Sequence, residues 1–138
     1  MRGRQLVVVD ASAVVAALLG GGLQGCWAEK VLTSGPLAAP HLMPVEVDNI
    51  LRRAASSGKV SPDAAALAHA DLKALGLQLY PYEPFADRIW ELRTYVTCYD
   101  AWYVAIAEFL GCALATLDWR LANAAGVKCG FELPDGPP

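Results

Sequence analysis

The chain has 138 residues, of which 55% are hydrophobic and 18% charged, so it is globular and disorder is confined to its ends. One domain is expected, and a chain of this size buries roughly 68% of its unfolded surface without staples. A net charge of −3 argues against a passive nucleic-acid-binding module, which carries a basic footprint, but not against a nuclease that neutralises its own acids with metal ions.

In chain order, QLVVV reads as a short buried strand, Gln5 to Val9, running into Asp10. ASAVVAALLG has helix formers and stops at Gly20-Gly21-Gly22. A second helix is expected from Gln24 to Leu32, and after the SGP break the apolar LAAP, Leu37 to Pro40, is consistent with a second strand. In MPVEVDNILRRAASSG, Val45, Ile50, Leu51, Ala54 and Ala55 recur at helical spacing. Ser61-Pro62 is a cap followed by proline at the first helical position, opening a helix to about Leu75. Leu77 to Tyr82 reads as a strand or extended edge, and Ala86 to Tyr95 and Tyr99 to Leu110 as helices, the latter closed by Gly111. CALATLD is a buried strand ending at Asp118, WRLANAAG a short helix ending at Gly126, and VKCGFEL a last edge strand. Short apolar strands alternating with helices argue for an α/β fold with a parallel sheet. Residues 1–138 then form a single domain, with about 133–138 a flexible tail.

No uninterrupted apolar run reaches the ~18 residues of a membrane span. The basic start MRGRQLVVV lacks a signal peptide's apolar stretch because Asp10 falls inside it, so a cytoplasmic protein is expected. The cysteines, Cys26, Cys98, Cys112 and Cys129, form no CxxC pair, and His41 and His69 do not match zinc spacing. The thiols read as reduced and mostly buried.

Two acids stand where apolar strands stop, Asp10 after LVVV and Asp118 after ALATL. Asp100 opens the apolar helix of YDAWYVAIAE, and Glu46 lies in the first turns of the helix MPVEVDNILRR. The four are too widely spaced for a local motif, but in an open α/β sheet ligands gather beyond the carboxyl ends of the strands. Two readings of these acids stay open. Aspartate is a favoured N-cap, so Asp10, Asp100 and Asp118 could each simply cap a helix, and Glu46 could be a solvated helix residue. Yet each carboxylate abuts an apolar strand or core helix, and crowded carboxylates stay ionised at neutral pH only when cations share the site. Hard divalent cations such as Mg²⁺ or Mn²⁺ take such oxygen ligands.

Four stretches resemble the PIN-domain ribonucleases, and within them the VapC-type toxins of toxin–antitoxin pairs. They are VVDASAVVAALL ending at Leu19, PHLMPVEVDNILRR (Pro40 to Arg53), YDAWYVAIAEFLG (Tyr99 to Gly111) and ATLDWRLANAAG (Ala115 to Gly126), in the family's order and covering nearly the whole chain. The resemblance implies a three-layer α/β/α sandwich with a central, mainly parallel sheet. It implies that Asp10, Glu46, Asp100 and Asp118 are the acidic quartet holding Mg²⁺ or Mn²⁺. Ser12 and Thr116 match small hydroxyl positions that would steady a carboxylate, a water or a phosphate; Arg93 matches an arginine facing the acids or RNA. Asn123 departs from the pattern, since some relatives have a further acid there, and it is left out of the metal set. The implied activity is metal-dependent endoribonuclease cleavage of RNA phosphodiester bonds that inhibits translation or growth. The implied partners are a VapB-type antitoxin and a second copy in a homodimer. Arg52, Arg53, Arg93 and Arg120 could supply positive charge for the RNA backbone, and Trp102 or Trp119 a stacking face, with core packing favoured for Trp102. The alternative is a catalytically silent PIN-like module that binds RNA or protein. An aspartyl-phosphate phosphatase would want a second aspartate two residues after Asp10, where Ser12 stands.

Overall fold

The computed structural model describes residues 5–135. It contains a five-stranded, all-parallel sheet in the order β3-β2-β1-β4-β5, with β1 Val7–Val9, β2 Leu37–Pro40, β3 Gln78–Tyr80, β4 Leu114–Ala115 and β5 Phe131–Glu132. The helices are α1 Ala11–Leu19, α2 Gly22–Thr33, α3 Met43–Ser56, α4 Pro62–Lys73, α5 Ala86–Leu92, α6 Cys98–Leu110 and α7 Trp119–Ala122, with one 3₁₀ turn at Glu83–Phe85. This is the three-layer α/β/α arrangement expected from the sequence. β1 and β2 are buried throughout because both faces of a parallel sheet are covered. α1 packs against α2, α3 and α4, while α6 lies on β1, β2 and β4 with α5 beside it.

α6 is the central helix. Ala101, Tyr103, Val104, Ala105, Ile106 and Ala107 are all buried, as expected of a helix apolar on nearly every side. It ends at Gly111, whose φ of 65° is the left-handed conformation that glycine adopts at little cost. α4 starts as predicted, with the Ser61 hydroxyl accepting from Ala64 N–H and proline just inside.

Three expectations are corrected. The helix expected from Ala86 to Tyr95 stops at Leu92. There the chain tightens into turns, Arg93 N–H to Trp90 O and Tyr95 N–H to Leu92 O, and then extends at Thr97 to cap α6. The strand expected over Cys112 to Asp118 shrinks to Leu114–Ala115, because Cys112 N–H bonds back to Ala107 O of α6 rather than to the sheet. The four cysteines are free, as read, but none is buried: Cys26 and Cys98 are exposed and Cys112 and Cys129 half-buried. Each lies at a helix flank or sheet rim, so apolar character alone did not place it in the core. Residues 133–135 follow β5 without regular structure, and residues 136–138 of the expected tail lie outside those described. Among the described residues no single helix is long and apolar enough to cross a membrane.

Candidate active site

The strand order places β1 and β4 side by side. The chain runs from β1 outward to β2 and β3 on one side, and from β4 to β5 on the other. That is a topological switch point, where a crevice opens beyond the carboxyl ends of the strands. Asp10 leaves β1 there, and Thr116 and Asp118 leave β4.

Asp10 is 8% exposed. Its Oδ1 accepts from Ser12 Oγ at 2.6 Å and from Ala13 N–H at 3.0 Å, so it does cap α1. Its Oδ2 accepts from the Thr116 hydroxyl. Thr116 is fully buried and in turn accepts from Asp118 N–H at 2.9 Å, and Ser12 Oγ accepts from Leu117 N–H at 3.3 Å. The two hydroxyls therefore stitch the end of β1 to the end of β4 through one carboxylate. Asp118 caps α7, its Oδ1 accepting from Arg120 N–H at 3.0 Å and Leu121 N–H at 3.2 Å.

Asp100 is not the cap of α6. That position belongs to Thr97, whose hydroxyl accepts from Asp100 N–H at 3.1 Å. The Asp100 carboxylate lies in the first turn, half-buried and set among other acids. Glu46, in the first turn of α3, accepts from the buried Tyr103 hydroxyl at 2.7 Å on Oε1. Tyr103 was not singled out in the sequence, although it follows Asp100 by three residues. That i, i+3 spacing puts both on one face of α6, and it was the available signal.

Burial is the main force on three of these acids. It pushes the Asp10 carboxyl up, adds to the charge of Asp118, and outweighs the opposing bonds from Ser12, Thr116 and Ala13. Burial also raises Glu46, with the Tyr103 bond opposing and Asp100 and Asp10 reinforcing. It raises Asp100, reinforced by Asp118 and Asp10. The same perturbers recur because the four acids share one crevice. The Tyr103 phenol is also pushed up, first by burial and then by Glu46, so it stays a donor.

The donor set is carboxylate oxygen throughout, which suits a hard divalent cation. Among the described residues, no group of three or more His, Cys, Asp or Glu is drawn together closely enough to hold a metal ion as it stands. Rotation of the half-buried Glu46, Asp100 and Asp118 side chains toward Asp10 would have to close the cage.

The remaining candidates divide. Arg93 and Arg120 line a cavity of about 520 Å³ together with Asp100 and Asp118. The Arg93 guanidinium lies over Trp90, 4.1 Å from the indole centroid, with its Nη1 donating to Trp90 O at 2.7 Å. Arg52 instead donates to Asn49 on the exposed side of α3. Asn123 Nδ2 donates to Trp119 O at 2.7 Å, closing α7. His69 pairs with Asp48 at 2.6 Å on the surface, and His41 is exposed. Trp102 is half-buried, with its ring edge-on to Tyr82 at 6.1 Å.

Comparison with known proteins adds a second line. A family model for the PIN domain matches residues 7–127. Ribonuclease VapC1 of Mycobacterium tuberculosis is 42% identical over 127 residues, covering 91% of this chain and 96% of its own. Ribonuclease VapC9 of the same organism is 38% identical over 124 residues, covering 90% and 94%. Among solved structures, PAE2754 from Pyrobaculum aerophilum superposes with a TM-score of 0.68 at 26% identity, covering 91% of this chain and 81% of that one.

Proposed function

The chain belongs to the PIN-domain family, and on that premise we propose that it is a Mg²⁺- or Mn²⁺-dependent endoribonuclease, the toxin of a toxin–antitoxin pair. One observation carries this reading. At the switch point of a parallel sheet, burial raises the carboxyls of Asp10, Glu46 and Asp100, from three separate segments, and the charges of Asp118, Asp100 and Asp10 add to it.

On this reading Asp10, Glu46, Asp100 and Asp118 hold the cation. Such an ion would offset part of the site's negative charge, polarise phosphoryl oxygens and favour attack on the phosphodiester. The rest is work for the chain's own side chains. Ser12 and Thr116 fix the plane of the Asp10 carboxylate, and Tyr103 fixes Glu46. Arg93 and Arg120 draw the RNA backbone toward acids that would otherwise repel it. Without a cation the four carboxylates repel a phosphate.

The partners on this reading are RNA, a VapB-type antitoxin and a second copy of the chain, in the cytoplasm. Exposed apolar side chains, among them Leu23, Val45, Leu67 and Phe109, offer surface for protein contacts. Light scattering after gel filtration tests the dimer, and a monomer at high micromolar concentration counts against it.

The deciding experiment is cleavage of total RNA by purified protein with Mg²⁺ or Mn²⁺, beside an EDTA control and Asp10→Asn. Cuts that need metal and vanish in the variant support the nuclease. Absence of both cleavage and metal binding favours the silent binding module instead.

A further inference from the structure

The cavity beside the acids has a feature the catalytic reading does not use. It is lined by Arg93, Tyr95 and Thr97 from the α5–α6 loop, by Asp100, and by Asp118 and Arg120 at the start of α7. Its volume of about 520 Å³ falls within the range of small-molecule sites. The Tyr95 ring is held in place from one side. A Cβ added to Gly126 would come within 2.7 Å of Tyr95 Cδ2, so the ring lies flat against bare glycine backbone. That backbone is itself fixed, because the Gly126 carbonyl accepts from Arg88 Nη2 at 2.9 Å. Yet Tyr95 remains 54% exposed, so much of the ring surface away from Gly126 is open.

A fixed aromatic ring with an open face, set between arginines and an acidic cation site, has the makings of a single-strand subsite. Arginines take phosphates, and an aromatic face takes any base. We propose that a nucleobase of the substrate, next to the cleaved phosphate, stacks on Tyr95 while the adjoining phosphate is held by Arg93 and Arg120. This rests on the nuclease reading for what lies at the acids. A peptide is the weaker occupant: the cavity is charged at both ends rather than apolar, and no strand edge among its lining residues offers a backbone ladder.

The test uses a fluorescein-labelled RNA decamer of mixed sequence and a ribose-phosphate decamer of the same length without bases. Both are titrated in Mg²⁺ into Asp10→Asn protein and followed by anisotropy. Tyr95→Ala in that background is expected to weaken the RNA roughly five- to hundredfold, the range for loss of one base–aromatic stack. The base-free chain changes less than about twofold, and Tyr95→Phe binds both as the parent does. Thermal melting checks that each variant is folded. Equal weakening on the two probes, no weakening, or no binding of the RNA by the parent overturns the proposal. Unchanged RNA affinity with weakened antitoxin binding also overturns it, and assigns the cavity to a peptide. The nuclease reading fails separately: wild-type protein that cuts no RNA with either metal, while Tyr95 still distinguishes bases from backbone, leaves the stacking subsite supported.

Discussion

Thr116→Val removes one oxygen from a fully buried position and keeps the side chain's shape. The hydroxyl does two things: it donates to Asp10 Oδ2 and accepts from Asp118 N–H at 2.9 Å. Losing a hydrogen bond to a charged group costs about 1.5–3 kcal/mol, and an N–H left without its acceptor about 1 kcal/mol more. The expected destabilisation at pH 7.5 is therefore about 2.5–4 kcal/mol, at roughly 3–4 °C in Tm per kcal/mol for a chain of this length. The pH dependence separates the two parts. Burial already raises the Asp10 carboxyl, and the Thr116 bond is one of the interactions holding it down, so the variant raises it further. A carboxyl raised in the folded state binds its proton more readily folded than unfolded. Its cost is then full above the folded pKa and fades as pH falls through it. The penalty of Thr116→Val should shrink from pH 7.5 to pH 3.8, which lies below the raised folded pKa of Asp10, and leave the cost of the neutral bond and the orphaned N–H. Urea unfolding at the two pH values measures this. A penalty below about 0.5 kcal/mol at pH 7.5, or one that does not change with pH, refutes the argument that Thr116 stabilises an ionised Asp10.

Removing a charge from the crevice should act in the opposite direction. Asp100→Asn is expected to raise the Tm of metal-free protein, because burial and then the charges of Asp118 and Asp10 all disfavour the ionised carboxylate. The same variant should lower RNA cleavage by more than about a hundredfold, since even outer partners of a metal site are worth 10–100-fold; a fall in Tm together with full activity would contradict both statements. For wild-type protein, Mn²⁺ or Mg²⁺ at a hundred times its Kd should add about 2.7 kcal/mol, a rise of roughly 9 °C that EDTA reverses. Differential scanning fluorimetry reads it, and a flat Tm up to millimolar metal counts against the site. Glu108 is a contrasting case: burial raises it, but bonds from Arg88 at 2.7 and 3.0 Å and from Lys128 N–H at 2.8 Å outweigh burial and lower it. Glu108→Gln should cost about 1–3 kcal/mol at neutral pH. The cost should disappear as pH falls through the lowered pKa, where the wild type loses the same stability; an equal difference at pH 7 and pH 3, by urea unfolding, would be the wrong result.

Apolar runs and their punctuation carried the fold. LVVV, LAAP and ALATL read as buried strands and each holds one, though the last only over Leu114–Ala115, and Gly20 and Gly111 end helices at positive φ. Less legible were segments shaped by contacts from afar. Nothing local in IWELRTYV ends a helix at Leu92; the turn there positions Thr97 to cap α6 and sets Tyr95 on Gly126, more than thirty residues on. The cysteines were misjudged for a related reason, since an apolar side chain at a rim finds no second layer to cover it. In the site, each acid was visible as a charge against apolar sequence, whereas Tyr103 looked like one more core aromatic. Only the fold shows that its hydroxyl reaches Glu46 from α6.

Capping a helix and offering oxygen to a cation do not exclude each other, and the oxygens show why. Asp118 spends Oδ1 on two backbone N–H groups of α7, and Glu46 spends Oε1 on Tyr103; among the described residues their other oxygens take no protein donor. Capping locks the carboxylate's position through one atom and leaves the second directed elsewhere. Asp10 is tied through both oxygens, by Ser12 and Ala13 on one and Thr116 on the other. Each carboxylate oxygen has two lone-pair sites, so Oδ2 can still offer one to a cation. A cap is therefore compatible with a ligand's role: the helix supplies donors that need an anion, and the anion is held at the rim of the sheet with coordination to spare. Asp100 is the exception: its carboxylate caps no helix, since Thr97 does that work for α6 by accepting from Asp100 N–H. A carboxylate that the helix does not need, raised by burial and by its acidic neighbours, is the member of the quartet hardest to account for without a cation.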